Sequence, residues 1–450
     1  MSETSPLRGR SASVVRAVAG SPISLWAAFV VAHLWLGLLN LYAPGQPLGD
    51  VTIVYKFWMD QGIVANFWVG IDSSFVYPIV ALVPMLIAYA FGPALYASTW
   101  LSMVMVINAV AFAFVTGWGR SRERVSTAWW WIAFLVALGP IALGRIDTVT
   151  IALAIVGVLL IARAPRAAVI ILTVATWIKV WPAALLAAAV IALRGRLRIV
   201  AVALATTTTV VAIALLLGSG SNLLSFITEQ TDRGLQIEAP ISTGWLWRAA
   251  AGDLGTFIYY DQQILTFQVS GPGVDSAAAL MTPLLVLGVV VICLLGVRGV
   301  RAGVQAGDLF PPLSLALVSA LIAFNKVGSP QFIGWLAVPV VLGLATHAAG
   351  YGRSFQTPAI LALVTAALTQ LVYPTFYTEL LSLNVPILIV LAARNIFVFV
   401  ILGWSVLALA TRPVGAIVDD ESQDHWLPSV WPFPRDTPAG EVVTERSTKE

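Results

Sequence analysis

Ionisable side chains are scarce in this chain, and those lying between its apolar runs are the ones able to do chemistry. Asp50 stands in Gly49-Asp50-Val51-Thr52-Ile53-Val54-Tyr55-Lys56-Phe57-Trp58, directly after the first long apolar run. Two further acids, Asp147 and Glu238, and four cations, Arg145, Lys179, Arg233 and Lys326, occupy later connections. A lone carboxylate can take the proton of a hydroxyl as that hydroxyl attacks an electrophilic carbon. Lysine and arginine can hold a phosphate as it leaves. The combination points to group transfer from a phosphate ester. No metal is expected, because no tight carboxylate pair demands one. Cys293 is the only cysteine and His33, His347 and His425 are scattered, so neither residue type builds a metal cluster or a disulfide. No Gly-rich strand–turn–helix fingerprint is present, and no cofactor is expected.

The elements that must position these residues are membrane helices. The 450 residues are 59% hydrophobic and only 10% charged, against roughly 25% charged in soluble domains. Long apolar runs recur from residue 23 to residue 411, too continuous for barrel strands, which alternate over about 10 residues. The fold class is therefore an all-α polytopic membrane protein. The expected partner is the lipid bilayer; a net charge of +3 is no nucleic-acid signal. Arg8, Arg10 and Arg16 precede the run 23–41, which exceeds the signal-peptide core of about 7–15 residues and reads as an uncleaved first helix.

Basic residues set the expected topology. After 23–41 comes a short helix from Val51 to about Gln61 with Val54, Phe57, Trp58 and Gln61 on one face, suited to the membrane surface. The stretch 77–90 reads as an interfacial or re-entrant helix, because otherwise Arg120, Arg122 and Arg124 would lie outside. Spans then follow at 95–117, 127–143, 149–161, 167–178, 180–193, 199–217, 277–295, 309–324, 332–345, 358–371 and 385–410. This makes about twelve spanning helices, with 180–193 and its predecessor short enough to be tilted or broken. Residues 1–22 read as a cytoplasmic segment, 23–411 as the transmembrane domain, and 412–450 as a cytoplasmic disordered tail. Nearly every Arg falls in a cytoplasmic turn and most acids outside. Arg145, Lys179, Arg233, Arg248, Lys326 and Lys56 break that rule, so something on the outer face should want positive charge. A glycosyl phosphate on a polyprenol fits: tail between helices, phosphate at the interface, sugar in an external cavity.

Six short stretches lie between the apolar runs: Gly49-Asp50, Val76-Tyr77-Pro78, Gly144-Arg145-Ile146-Asp147, Lys179-Val180-Trp181-Pro182, Asp232-Arg233-Gly234-Leu235-Gln236-Ile237-Glu238 and Asn325-Lys326-Val327-Gly328-Ser329-Pro330-Gln331. In these the chain resembles the GT-C superfamily of membrane glycosyltransferases, and within it glycosyltransferase family 87, which includes actinobacterial polyprenyl-phosphate-mannose-dependent α-mannosyltransferases. The chain departs from well-known members in having one acid at Asp50 rather than an Asp-Asp pair, and no external His. The resemblance implies a GT-C-type bundle with external juxtamembrane helices. It also implies a multi-pass cell-membrane enzyme with its site facing outward and both termini cytoplasmic. The expected reaction moves a sugar, mannose by resemblance, from a polyprenyl-phosphate donor to a glycolipid or lipoglycan acceptor, with inversion. Asp50 would be the base. Lys179, Arg233, Lys326 and Arg145 would hold the donor phosphate. Asp147, Tyr77, Glu238 and Gln331 would bind sugar or acceptor.

Plainer readings stand beside these. Asp50 and Asp147 each precede a helix and suit an N-cap. Lys179 suits a snorkelling lysine, Arg233 and Glu238 a loop ion pair, and Lys326 a helix-end cation. Arg394, deep in the last run, suits either function or burial with a partner. The rival function is a secondary transporter or lipid flippase, which would set its ionisable groups near the midplane at a repeat interface.

Overall fold

The computed structural model describes residues 20–119, 121–231 and 233–411. Residues 1–19 of the expected segment 1–22, the expected tail 412–450, Arg120 and Asp232 lie outside the described residues. The helices in chain order are α1 (Pro22–Tyr42), α2 (Lys56–Ala65), α3 (Leu82–Ala88), α4 (Tyr96–Val115), α5 (Val125–Leu138), α6 (Ile146–Leu160), α7 (Pro165–Ile178), α8 (Ala183–Ala192), α9 (Arg196–Leu216), α10 (Ser225–Thr231), α11 (Thr243–Ala250), α12 (Val274–Arg301), α13 (Ala306–Ala323), α14 (Ala337–Ala348), α15 (Gln356–Gln370), α16 (Tyr377–Leu381) and α17 (Val385–Ala410). Among the described residues, nine helices, some with short 3-10 or π extensions, are long and apolar enough to cross a membrane. The molecule is an all-α, multi-pass membrane protein.

Burial sorts these helices. α13 is apolar on all sides and packs against α8, α12, α14 and α17; 83% of its apolar window is buried. α9 and α12 are equally apolar, yet leave Leu204, Ile213, Leu216, Leu287 and Leu294 exposed. A helix hydrophobic all round must be buried or face lipid, so these two face lipid.

The twelve segments expected to span are all helical, but three are too short to cross alone. α6, α7 and α8 have 15, 14 and 10 residues, at most about 22 Å at 1.5 Å per residue, against a hydrocarbon core of about 30 Å. Their breaks are chemically prescribed. Pro182 has no N–H to continue α7, and Lys179 is extended at φ −153°, ψ 135°. Before α6, Arg145 is likewise extended. Gly144 allows close approach there: a Cβ would lie 2.7 Å from Asn40 Oδ1 and 3.0 Å from the Pro47 carbonyl. The helical stretch Ile79–Ala88 is also short, as the interfacial reading of 77–90 requires.

The helix after Asp50 begins as a π-helix, Asp50–Tyr55, and runs on through α2. Val51, Tyr55 and Met59 face the core, while Phe57 is exposed and Val54, Trp58 and Gln61 are partly so, which leaves that face free for the membrane surface. The connection after α9 contains a hairpin that the sequence reading missed. β1 (Phe257–Asp261) pairs antiparallel with β2 (Thr266–Ser270), Phe257 opposite Ser270. The chain at 235–237 adds a third short rung, with Val269 N donating to Leu235 O at 2.9 Å and Ile237 N to Phe267 O at 3.2 Å. Leu235, Ile237, Leu246, Val269, Leu380 and Leu388 form a second, smaller core around it. The first turns of α17 join that core, which a helix of 26 residues, about 39 Å long, can do while still crossing.

Asn40, buried near the end of α1, donates to Pro140 O at 2.8 Å and to Leu36 O at 2.9 Å. It pins α1 to the turn before α6. Replacing Asn40 with Leu removes the bond that ties α1 to Pro140 O, which keeps only its local bonds from Leu143 N and Gly144 N, and should lower stability by about 0.5–1.5 kcal/mol. Thermal unfolding in detergent checks this; an unchanged midpoint would refute the pin.

Candidate active site

Asp50 does not cap its helix: Gly49 holds the cap position and no side chain bonds there. Instead its Oδ2 pairs with Arg145 Nε at 3.0 Å, with the Asp50 side chain 39% exposed. Among the described residues Oδ1 has no hydrogen-bond partner. Arg145 is buried, and three of its four remaining N–H groups are engaged. Nη1 donates to Pro47 O at 2.6 Å and Gly144 O at 2.7 Å, and Nη2 to Tyr373 Oη at 3.0 Å. Burial works against the Arg145 charge, but Asp50 and the Tyr373 and Tyr55 phenols outweigh it and hold the guanidinium above its ordinary value. Tyr373 is extended at φ −139°, ψ 126°, as a residue before proline prefers. Pro374 thereby turns the chain out of helix, and Tyr373 meets Arg145 there.

A second frame lies beyond Tyr55 and Tyr77, whose hydroxyls are 3.5 Å apart. Tyr55 Oη also accepts from Ile146 N at 3.3 Å. Asp147 is 1% exposed and both of its oxygens are engaged: Lys179 Nζ lies 2.7 Å from Oδ2, and Trp335 Nε1 donates to Oδ1 at 2.6 Å. Trp335 stacks on Trp181 with planes 9° apart, and Trp181 donates to Thr150 Oγ1 at 2.9 Å. The Lys179 ammonium also sits 5.3 Å from the Tyr77 ring centre and 5.1 Å from that of Phe332, within cation–π range. Tyr77 is raised from the usual phenol range, chiefly by burial, with Lys179 opposing and Asp50 adding to it. Asp50 thus acts electrostatically on Tyr77.

Lys179 opens onto a cavity of about 600 Å³. Its polar end is formed by Tyr77, Lys179, Arg233, Asn325, Lys326, Ser329 and Gln331. Its shaft is hydrocarbon: Ala183, Ala184 and Ala187 of α8, Leu285 and Val289 of α12, and Leu317 and Leu321 of α13. Among the described residues, Arg233 Nε is buried without a hydrogen-bond partner. The break between α7 and α8 opens this space, and the Asn325–Gln331 turn closes its far side. Tyr77, Lys179, Arg233, Lys326 and Gln331, all singled out by sequence, are brought together here. Asp50, Arg145, Asp147 and Glu238 do not line the cavity. Asp147 reaches it through Lys179, and Arg145 faces Asp50 rather than the cavity.

Glu238 is buried, with Tyr377 donating to its Oε1 at 2.8 Å; among the described residues it makes no ion pair with Arg233. Sequence reasoning missed Tyr373, Trp335, Tyr377, Tyr55 and Gln236. Tyr373-Pro374 and the Trp335 that follows Ser329-Pro330-Gln331 were visible as local signals, but their partners lie far off in sequence.

The fold and the cavity define a polytopic membrane protein with an amphipathic pocket at one end of its helices. The chain belongs to glycosyltransferase family 87: the family's sequence profile matches residues 75–324, more than half its length. It is a membrane glycosyltransferase. Tyr77, Arg145, Asp147, Lys179, Arg233 and Glu238 fall within the matched residues, while Asp50, Lys326, Gln331 and Arg394 fall outside. No curated protein and no solved structure matches the chain.

Burial raises the Glu238 carboxyl, against the opposing effects of its bond from Tyr377, its own backbone and Arg394. Its protonated form is therefore favoured on folding. The stability this confers is complete below the ordinary carboxyl value of 4.5 and is lost as pH rises from there through the raised folded value. Glu238→Gln keeps an acceptor for Tyr377 and removes this slope. Thermal midpoints of the two proteins should diverge above that pH, the variant gaining relative to wild type. Parallel profiles would refute it.

Proposed function

We propose that this enzyme transfers a sugar, mannose by family resemblance, from a polyprenyl phosphate to a hydroxyl of a cell-envelope glycolipid or lipoglycan. The observation that carries the reading is the cavity: cations at its head, and a hydrocarbon shaft between α8, α12 and α13. A polyprenyl phosphate has that same division of polarity. Its tail would lie along the shaft. Its phosphate would sit at Lys179, Arg233 and Lys326, where charge-assisted bonds are strongest. Gln331, Tyr77 and Asn325 would meet the sugar.

In the proposed displacement the acceptor oxygen attacks the anomeric carbon and forms the new glycosidic bond. The bond from that carbon to the phosphate oxygen breaks, and its electron pair leaves with the phosphate. Asp50 Oδ1 takes the acceptor proton. A single displacement inverts the anomeric configuration. Arg145 is reassigned here from phosphate ligand to positioning residue: it fixes the Asp50 carboxylate by Oδ2 and leaves the second oxygen for the proton. Asp147 likewise aims Lys179. The reading also assigns the end of the helices bearing Arg163, Arg194, Arg298, Arg301 and Arg353 to the cytoplasm, by the positive-inside bias. The active site then faces outward, and both termini lie inside.

Purified enzyme given labelled polyprenyl-phosphate mannose and lipid acceptors tests this. Asp50→Asn should lose about 10²–10⁴-fold in turnover. Full transfer by Asp50→Asn would remove Asp50 as base. No transfer from any polyprenyl donor, with substrate-dependent flux in liposomes, would favour the lipid-translocator reading instead. Arg145→Lys cannot span Asp50, two carbonyls and Tyr373 with one ammonium. It should lower turnover more than donor KM; an unchanged turnover would remove its positioning role.

A further inference from the structure

Arg394 is 1% exposed and lies well inside α17. A guanidinium buried in a membrane helix is costly and is retained for a reason. Among the described residues no carboxylate lies within ion-pair distance of it. Glu238 acts on it through space, but the Glu238 carboxylate is bonded to Tyr377. Besides its helix neighbour Asn395, Arg394 bonds to two loops. Nη1 donates to Glu238 O at 3.2 Å and to Asn395 Oδ1 at 2.8 Å, and Nη2 donates to Gly328 O at 3.3 Å. Asn395 Nδ2 in turn donates to Thr243 Oγ1 at 2.9 Å.

Those loops are the ones that carry cations into the cavity. Glu238 shares a segment with Arg233, and Gly328 shares one with Lys326. The segments touch without a spacer: a Cβ on Gly328 would lie 2.0 Å from Ala239 N and 2.2 Å from the Glu238 carbonyl carbon. Gln236 N donates to Lys326 O at 3.1 Å, and Ser329 Oγ lies 3.4 Å from Gln236 Oε1. Arg394 grips the far side of the same junction, one nitrogen on each loop.

We propose that Arg394 is a positioning residue for phosphate binding. By bridging the carbonyls of Glu238 and Gly328 it sets the separation of Arg233 and Lys326, and hence the anion they take together. The proposal rests on the reading of the cavity head as a phosphate site. Only a planar fork of donors at fixed spacing serves this purpose; a lysine ammonium reaches one carbonyl and leaves the other unpaired.

The test is binding of a long-chain polyprenyl monophosphate and of the matching uncharged polyprenol to the purified full-length protein, with thermal midpoints measured in parallel. Wild type should prefer the phosphate. Arg394→Gln and Arg394→Lys should weaken phosphate binding by about tenfold or more, since misplacement on the ångström scale costs up to about a hundredfold, and leave polyprenol binding unchanged. Gly328→Ala should give the same signature without touching the guanidinium, and decides the matter if the Arg394 variants do not fold. Arg248→Gln, which breaks an exposed pair with Asp253, should match wild type. Folded Arg394→Gln or Gly328→Ala protein that keeps the full preference for phosphate overturns the proposal. So does an equal loss of both ligands, which marks a structural role alone. Absence of the preference in wild type overturns the phosphate reading itself, and is distinguishable because it needs no variant.

Discussion

A buried guanidinium has five N–H groups to satisfy, and Arg145 engages four of them with partners from two distant segments and its own turn. Pro47 and Asp50 come from the turn after α1, Gly144 from the turn before α6, and Tyr373 from the break after α15. Leaving any of these donors unpaired in a low-dielectric interior would cost more than the bond itself is worth. The three segments are therefore held in one arrangement, and Asp50 is held with them. Gly144 makes the arrangement sterically possible, because a side chain there would strike Asn40 and the Pro47 carbonyl. The position of the candidate base is thus a consequence of satisfying one arginine.

The same logic organises the second frame. Asp147 is almost fully buried, and an isolated carboxylate there would be untenable. Lys179 and Trp335 neutralise and bond it, and the stacked Trp181 fixes the indole. Lys179 is in turn confined by Tyr77 and Phe332. One end of its ammonium is tied to Asp147 and the rest faces the cavity. Side chains with so few rotamers left lose little entropy on engaging a ligand. This is the physical content of a preorganised site.

The sequence disclosed the parts of this more readily than their pairing. Apolar length and hydropathy revealed the helices. The break at Lys179-Val180-Trp181-Pro182 was legible from its proline and its lysine. Local composition also separated the cations that line the cavity, Lys179, Arg233 and Lys326, from the arginines of the opposite end. What remained hidden was contact. Nothing in the spacing of Arg145 says that Asp50, Tyr373 and two backbone carbonyls will engage its donors. Nothing marks Trp335 as the partner of Asp147. A cap explained Asp50 as well as chemistry did until Gly49 was seen in the cap position. The hairpin escaped because its strands are five residues each inside a connection that had no membrane signal to interpret. Its short apolar alternation carries weight only once Leu235, Ile237 and Leu388 supply a second core.

The two frames share the Arg145-Ile146-Asp147 turn and meet across Tyr55 and Tyr77, and this has a consequence for catalysis as proposed. The phosphate cations belong to the cavity side of Tyr77, and the base belongs to the Arg145 side. A donor seated in the shaft would have to project its sugar past Tyr77 to reach Asp50. The acceptor hydroxyl would come from the half-exposed side of Asp50, opposite the leaving phosphate. That is the alignment an in-line displacement with inversion requires. A site with base and cations mixed in one wall would instead let the carboxylate pair with Lys179 or Lys326 and quench both. Arg145 and Asp147 prevent this by giving each reactive group its own opposite charge, on its own side of the tyrosines.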